Sequence, residues 1–122
     1  MPRAKAGDRA RRLLLAGALV LWAGGALAED WKAVKGEALK SLFSGKELGD
    51  GAHFAYRFGA DGIFSGTELG KDIRGAWRVM GSEMCWKWTR PPGAEECYGV
   101  QRDGATVRLL KYGSEAWYGK LK

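Results

Sequence analysis

The chain has 122 residues, 46% of them hydrophobic, with 20 basic side chains against 14 acidic ones and a formal net charge of +6. That excess is local. Arg3, Lys5, Arg9, Arg11 and Arg12 stand in the first 28 positions with one acid, Asp8, so residues 29–122 carry 15 basic and 13 acidic side chains, a net +2. Lys and Arg are there dispersed among acids, which argues against nucleic acid as a partner and for a mixed, solvated surface.

The first 28 residues read as a leader. A basic head precedes an uncharged run from Leu13 to Leu27, and Ala26-Leu27-Ala28 supplies the small-x-small pattern of a signal-peptidase site. The run is short for a bilayer span, which needs about 20 apolar residues. Export to a bacterial periplasm with cleavage after Ala28 is therefore expected, leaving no membrane span. The remaining 94 residues suit one domain.

Residues 29–35 read as a linker. Glu37 to Phe43 predicts one short helix, with Leu39, Leu42 and Phe43 on a common face and Gly45 placed to end it. The period then changes to two. Phe54, Tyr56 and Phe58 alternate with Ala55 and Arg57, Asp61-Gly62 predicts a hairpin turn, and Ile63 to Glu68 returns. Gly70 to Asp72 reads as loop. Trp77 and Val79 lie on a further strand, as do Met84, Trp86 and Trp88. Arg90-Pro91-Pro92-Gly93 interrupts the pattern by removing backbone donors. Tyr98 and Val100 resume it, Asp103-Gly104 turns into Thr106 to Leu110, and Trp117 to Leu121 closes the series. Six or seven short strands with tight turns predict a mainly β fold. The expected form is a small antiparallel meander curled into a partly open barrel or bent sheet, with the helix on one side.

Cys85 and Cys97 are available in a compartment that permits disulfides. If they face one another across an antiparallel pair, Met84 faces Tyr98 and Trp86 faces Glu96. Met84, Trp86, Trp88, Tyr98 and Val100 then share one face and the cysteines the other. Closing this loop is worth about 3 kcal/mol in the chain-entropy account. Eleven residues separate the cysteines, which does not suit a Cys-x-x-Cys redox pair or haem attachment, and two Cys with one His fall short of a zinc set. No metal or cofactor is expected.

Trp31, Trp77, Trp86, Trp88 and Trp117 with four Tyr and four Phe are many rings for so small a domain. They read either as core filling or as the lining of a ligand pocket. The candidate binding residues are Trp77, Trp86, Trp88, Tyr98 and, at the loop end of the same face, Glu96. His53 falls on the polar face, no serine has the context of a nucleophile elbow, and Asp61 and Asp103 belong to turns, so no catalytic set is nominated. The functional expectation is a binding or accessory module acting on an envelope protein. Its rivals are a lipocalin-like carrier of a small hydrophobic ligand, and an inhibitor of an envelope enzyme that presents residues 89–95.

Taken in order, Leu42-Phe43-Ser44-Gly45-Lys46, Asp61-Gly62, Gly75-Ala76-Trp77-Arg78-Val79, Cys85-Trp86-Lys87-Trp88 and Cys97-Tyr98 resemble a group of small exported proteobacterial proteins that share a domain of unknown function. The resemblance runs from about Leu39 onward. It implies a periplasmic β-rich domain and transfers no reaction. The chain ends soon after Gly119-Lys120-Leu121, and a short last strand is expected to leave an edge exposed.

Overall fold

A computed structural model describes residues 29–122; the expected leader and its cleavage point lie outside the described residues. Nine strands lie among the described residues: β1 (Lys32–Ala33), β2 (Lys46–Gly49), β3 (Phe54–Phe58), β4 (Ile63–Glu68), β5 (Lys71–Met80), β6 (Glu83–Arg90), β7 (Glu96–Asp103), β8 (Thr106–Lys111) and β9 (Ser114–Leu121). The helix, α1 (Gly36–Phe43), separates β1 from β2.

β2 to β9 pair antiparallel in chain order, and β9 returns to β2 through Leu48↔Leu121 and Gly49↔Lys120. The meander therefore closes fully into an eight-stranded barrel. The last strand, expected to leave an edge, is instead the closing one, because it begins at Ser114 and has β8 on one side and β2 on the other. β1 stands outside the ring. It takes up the edge of β7 that β6 leaves free, with Lys32↔Arg102 and Ala33↔Gln101. The expected linker thus holds a strand, and the expected loop at 70–72 is the start of β5, whose Lys71 and Asp72 pair with Glu68 and Thr67.

Alternation decides what fills the barrel. Leu48, Tyr56, Phe58, Phe64, Trp77, Met84, Trp86, Tyr98, Val107 and Leu109 point inward and are buried. Their rings touch, with centroids 4.7–6.4 Å apart from Phe43–Phe58 to Phe64–Trp88. An eight-stranded barrel is just wide enough for side chains to fill, and here they do. Two inward positions must be glycine. A Cβ on Gly66 would run into the carbonyl of Ala55, and one on Gly75 into that of Lys87, so these sites let the strands coil tightly where large rings face them.

α1 covers one end. Leu39, Leu42 and Phe43 are its buried residues, and Phe43 reaches Phe58 at 4.7 Å and Trp77 at 6.3 Å. Gly45, at φ 77°, ends the helix and donates its N–H to Phe58 O at 2.7 Å, which ties α1 to the barrel rim. The Asp61-Gly62 and Asp103-Gly104 turns and the β5–β6 turn lie at this same end. The other end carries the β2–β3, β4–β5, β6–β7 and β8–β9 connections, and among the described residues no helix lies over it.

Cys85 and Cys97 are bonded, and the register across them is Met84↔Tyr98, Cys85↔Cys97 and Trp86↔Glu96. The alternation argued from the cysteines therefore holds, with Met84, Trp86, Tyr98 and Val100 in the core.

Candidate ligand-binding end of the barrel

The open end is built from residues that alternation delivers to the upper interior of β3, β4, β6, β7 and β9. Tyr98 is buried, and its hydroxyl donates to Glu96 Oε1 at 2.9 Å. Trp86 packs on Tyr98 at 5.2 Å and on Trp117 at 5.6 Å. Tyr56 stands 5.4 Å from Trp86, 6.1 Å from Trp88 and 5.5 Å from Trp117. The Glu68 carboxylate lies beside the Tyr56 hydroxyl. Lys111 closes one side, its ammonium 5.0 Å above the Tyr98 ring, within cation–π range.

Among the described residues three buried polar atoms in this cluster lack a well-formed hydrogen bond: Tyr56 Oη, which faces the Glu68 carboxylate, Trp86 Nε1, which faces the Tyr98 hydroxyl, and Trp88 Nε1, which faces no acceptor. Trp86 is 1% exposed and Tyr56 fully buried. Leaving such a group unpaired costs about 1–3 kcal/mol. Electrostatics follows the burial. Desolvation foremost, then Glu68, holds the Tyr56 phenol well above the usual tyrosine range. Desolvation pushes the Tyr98 phenol up to about 12; Glu96 acts in the same direction, and the indole N–H groups of Trp117 and Trp86 oppose it. Both phenols therefore stay neutral donors at physiological pH.

The rim shows a second peculiarity. The β4–β5 and β8–β9 turns each place a bulky residue in the left-handed region, Leu69 at φ 51° and Tyr112 at φ 53°. These two side chains are 71% and 97% exposed. Turns that need this conformation normally use Gly, Asn or Asp, and strained, exposed apolar residues gather at functional sites.

Of the residues nominated from the sequence, the structure brings together Trp86, Trp88, Tyr98 and Glu96. Glu96 is exposed at the rim and still holds Tyr98. Trp77 is Trp86's cross-strand partner, but its ring turns toward the helix, and its Nε1 donates to Gly59 O at 2.7 Å. It edges an outer cleft of about 560 Å³ between the start of α1 and the Asp61-Gly62 turn. Sequence reasoning missed Tyr56, Glu68, Trp117 and Lys111 as neighbours of this cluster. The alternation of β3 and β4 puts Tyr56 and Glu68 on the inner face, but only closure of the barrel brings them beside β6 and β7. Trp31 is outside the barrel, stacked under the Arg108 guanidinium at 4.3 Å and edge-on to Tyr118 at 6.3 Å.

Elsewhere, His53 is exposed and bonds Asp50 Oδ2 at 2.8 Å. Asp50 also accepts from the backbone N–H groups of Ala52 and His53, which hold its carboxyl far below the usual range. Asp61 accepts from Ile63 N within its own turn, and Asp103 accepts from Asp30 N, tying the segment before β1 to the end of β7. Among the described residues no three His, Cys, Asp or Glu side chains gather as a metal set, and no helix is long and apolar enough to cross a membrane. Comparison with protein-family models, with curated proteins and with solved structures finds no match for this chain.

Proposed function

We propose that this protein is an exported binding module, cleaved after Ala28 and working in the periplasm, and that it takes its ligand at the end of the barrel opposite α1. One observation carries the reading: at that end the half-buried Trp88 keeps a buried indole N–H with no partner among the described residues. A ligand bringing an acceptor oxygen to the mouth would return the cost of leaving it unpaired. The exposed Leu69 and Tyr112 at the rim favour a ligand that also has an apolar body. This is the chemistry of a lipocalin-like carrier of a small hydrophobic ligand. Because the interior rings already touch, such a ligand seats at the mouth, against Trp88, Trp117 and Glu96. Membership in the small exported proteobacterial group with the Gly-x-Trp-x-Val, Cys-Trp and Cys-Tyr pattern is part of the same proposal.

Native mass spectrometry of protein purified gently from its own periplasm is the test, followed by titration with a fatty acid read by tryptophan emission. The expected result is the mass of residues 29–122 less two hydrogens, with a retained adduct, and an emission change that Trp88→Phe reduces. A bare mass and flat titrations across fatty acids and other small amphiphiles would remove the carrier.

A second reading has its own support. The loop after β6 is braced by a bidentate Arg78–Glu95 pair, both contacts 2.8 Å, and by Gly93 N donating to Trp88 O at 3.0 Å. A stiff projecting loop is what an enzyme inhibitor presents. Replacing Pro91 and Pro92 together by alanine should then weaken capture of an envelope enzyme without unfolding the barrel; unchanged capture would remove this reading.

A further inference from the structure

A second feature, on the outer wall and independent of the open end, is a row of arginines. The ladders place Arg57 opposite Ser65, Ser65 opposite Arg74, and Arg74 opposite Arg90. Directly opposed residues project from the same side of a sheet, so Arg57, Arg74 and Arg90 lie along one line across β3 to β6. All three are exposed. None has a carboxylate within 4.0 Å among the described residues, where the ion pairs are Lys32–Asp30, His53–Asp50, Arg78–Glu95 and Lys122–Glu47. Glu47, the cross-strand neighbour of Arg57, turns to Lys122 instead. The basic residues that look dispersed along the chain are gathered here by the fold.

Arg90 reaches this row by a specific device. Along β6, Met84, Trp86 and Trp88 face the core, so plain alternation would send Arg90 inward as well. The register shifts between Arg74 and Gly75: Gly75 pairs with Trp88 and Arg74 with Arg90, which leaves Thr89 as an extra residue. This is a β-bulge, a feature that re-aims side chains. Thr89 Oγ1 pins it by donating to Arg74 O at 3.2 Å, and Gly75 permits it, since a Cβ there would meet the Lys87 carbonyl. The outcome is two arginines opposite one another on the ladder, with Cβ atoms about 5 Å apart. Like charges so placed are destabilising, and an anion between them would reverse the sign. A hollow of about 280 Å³ lies at this point, lined by Ser65, Gly66, Asp72, Ile73, Arg74 and Arg90. It holds two positive charges against the one of Asp72.

From this placement we infer that Arg74 and Arg90, with Ser65 between β3 and β5 and Arg57 extending the row, form a binding site for a phosphate group. Guanidinium forks match phosphate oxygens bidentately, and two arginines lining one hollow favour a compact oxyanion over a diffuse negative surface. The group is a phosphate ester, carried either by a soluble metabolite or by an anionic lipid headgroup.

The test is an amide NMR titration of the full described chain with inorganic phosphate, at constant ionic strength set by chloride. Saturable shifts at Ser65, Arg74 and Arg90 are expected, without change in tryptophan emission from the open end. The R74Q/R90Q variant should bind about tenfold more weakly or worse. The R74K/R90K variant, which keeps the charge and loses the forks, should also fall several-fold; near-UV circular dichroism checks that both retain the barrel. Absence of shifts at these residues, or lysine variants that bind as well as the parent, would overturn the inference. Co-sedimentation with phosphatidylglycerol vesicles that R74Q/R90Q loses would assign the phosphate to a lipid. Free phosphate binding without co-sedimentation would assign it to a soluble ester. Loss of vesicle binding in R74Q/R90Q leaves the proposed mouth ligand untouched, so the two proposals stand or fall separately.

Discussion

At the helix-covered end of the barrel Trp77 is buried with its indole N–H bonded to Gly59 O at 2.7 Å; across the same strand pair Trp86 is buried with its N–H facing the Tyr98 hydroxyl without a well-formed bond. The turns differ in the same sense. Positive φ at the covered end falls on Gly62, Gly81 and Gly104, whereas at the open end it also falls on Leu69 and Tyr112. One end satisfies its polar groups and uses the residue that each turn conformation favours. Among the described residues the other leaves three buried polar atoms without a well-formed hydrogen bond and places bulky side chains where glycine fits best. The difference teaches where stability was secured and where it was given up, and the second end is the one to probe for binding.

The largest expected effect tests the covered end. Phe43→Ala removes a fully buried ring lodged against Phe58 and Trp77. It should cost about 3–5 kcal/mol in urea unfolding, enough to leave so small a domain largely unfolded. A loss under 1 kcal/mol would mean that α1 is not the structural cap described.

Next comes the cross-link that sets the register beneath the open end. Replacing Cys85 and Cys97 together by serine should lower stability by about 3 kcal/mol, read by extrapolation of urea unfolding to zero denaturant, with a slope no smaller than the parent's because the unfolded chain loses its cross-link.

A paired comparison then addresses the indoles directly. Trp77→Phe and Trp86→Phe remove similar volume, but only the first breaks a hydrogen bond. Trp77→Phe should be the more costly by about 1–2 kcal/mol. Equal costs would show that the Trp86 N–H is satisfied in solution and that the ends do not differ in this respect.

The rim gives a smaller effect of opposite sign. Leu69→Asn and Tyr112→Asn should each raise stability by roughly 0.5–1 kcal/mol, since asparagine tolerates the left-handed turn position better. If these stabilised variants bind the mouth ligand as well as the parent, the strain has no part in recognition.

The last prediction concerns pH. The native Tyr98 phenol is raised to about 12, above its ordinary value of 10.0. Between these values the unfolded chain releases a proton that the folded one keeps. Stability supplied by neutral Tyr98 is thus complete below pH 10 and lost as pH rises toward 12. The melting temperature should fall over that interval in the parent and less steeply in Tyr98→Phe.

Local chemistry made much of this legible in the sequence. The helix from Glu37 to Phe43 was readable because three apolar residues share one face and Gly45 follows, and the structure starts it one residue earlier. The hairpins at Asp61-Gly62 and Asp103-Gly104 were readable because those dipeptides accept positive φ. The face shared by Met84, Trp86 and Tyr98 followed from one supposition, that Cys85 opposes Cys97. β2 was missed because Lys46–Gly49 has four residues and one buried side chain, Leu48, too few to show a period. β1 is two residues long and has no pattern to read. Of the candidate site, Trp86, Trp88, Glu96 and Tyr98 were legible as one hairpin face. Tyr56, Glu68 and Trp117 were not, since they come from strands that become neighbours only around the circumference.

The inward-facing residues of the longer strands, the places of most turns and the register set by the two cysteines follow from the sequence alone. These depend on period-two alternation, on φ preferences and on a short covalent loop, all local. Long-range pairing decided that the last strand closes the barrel on β2, that the Thr89 bulge swings Arg90 outward beside Arg74, and that the Trp88 indole N–H is buried with no partner among the described residues. Each of these depends on which distant strands become neighbours and on the geometry of their pairing, and neither is encoded in the spacing of residues along any one segment.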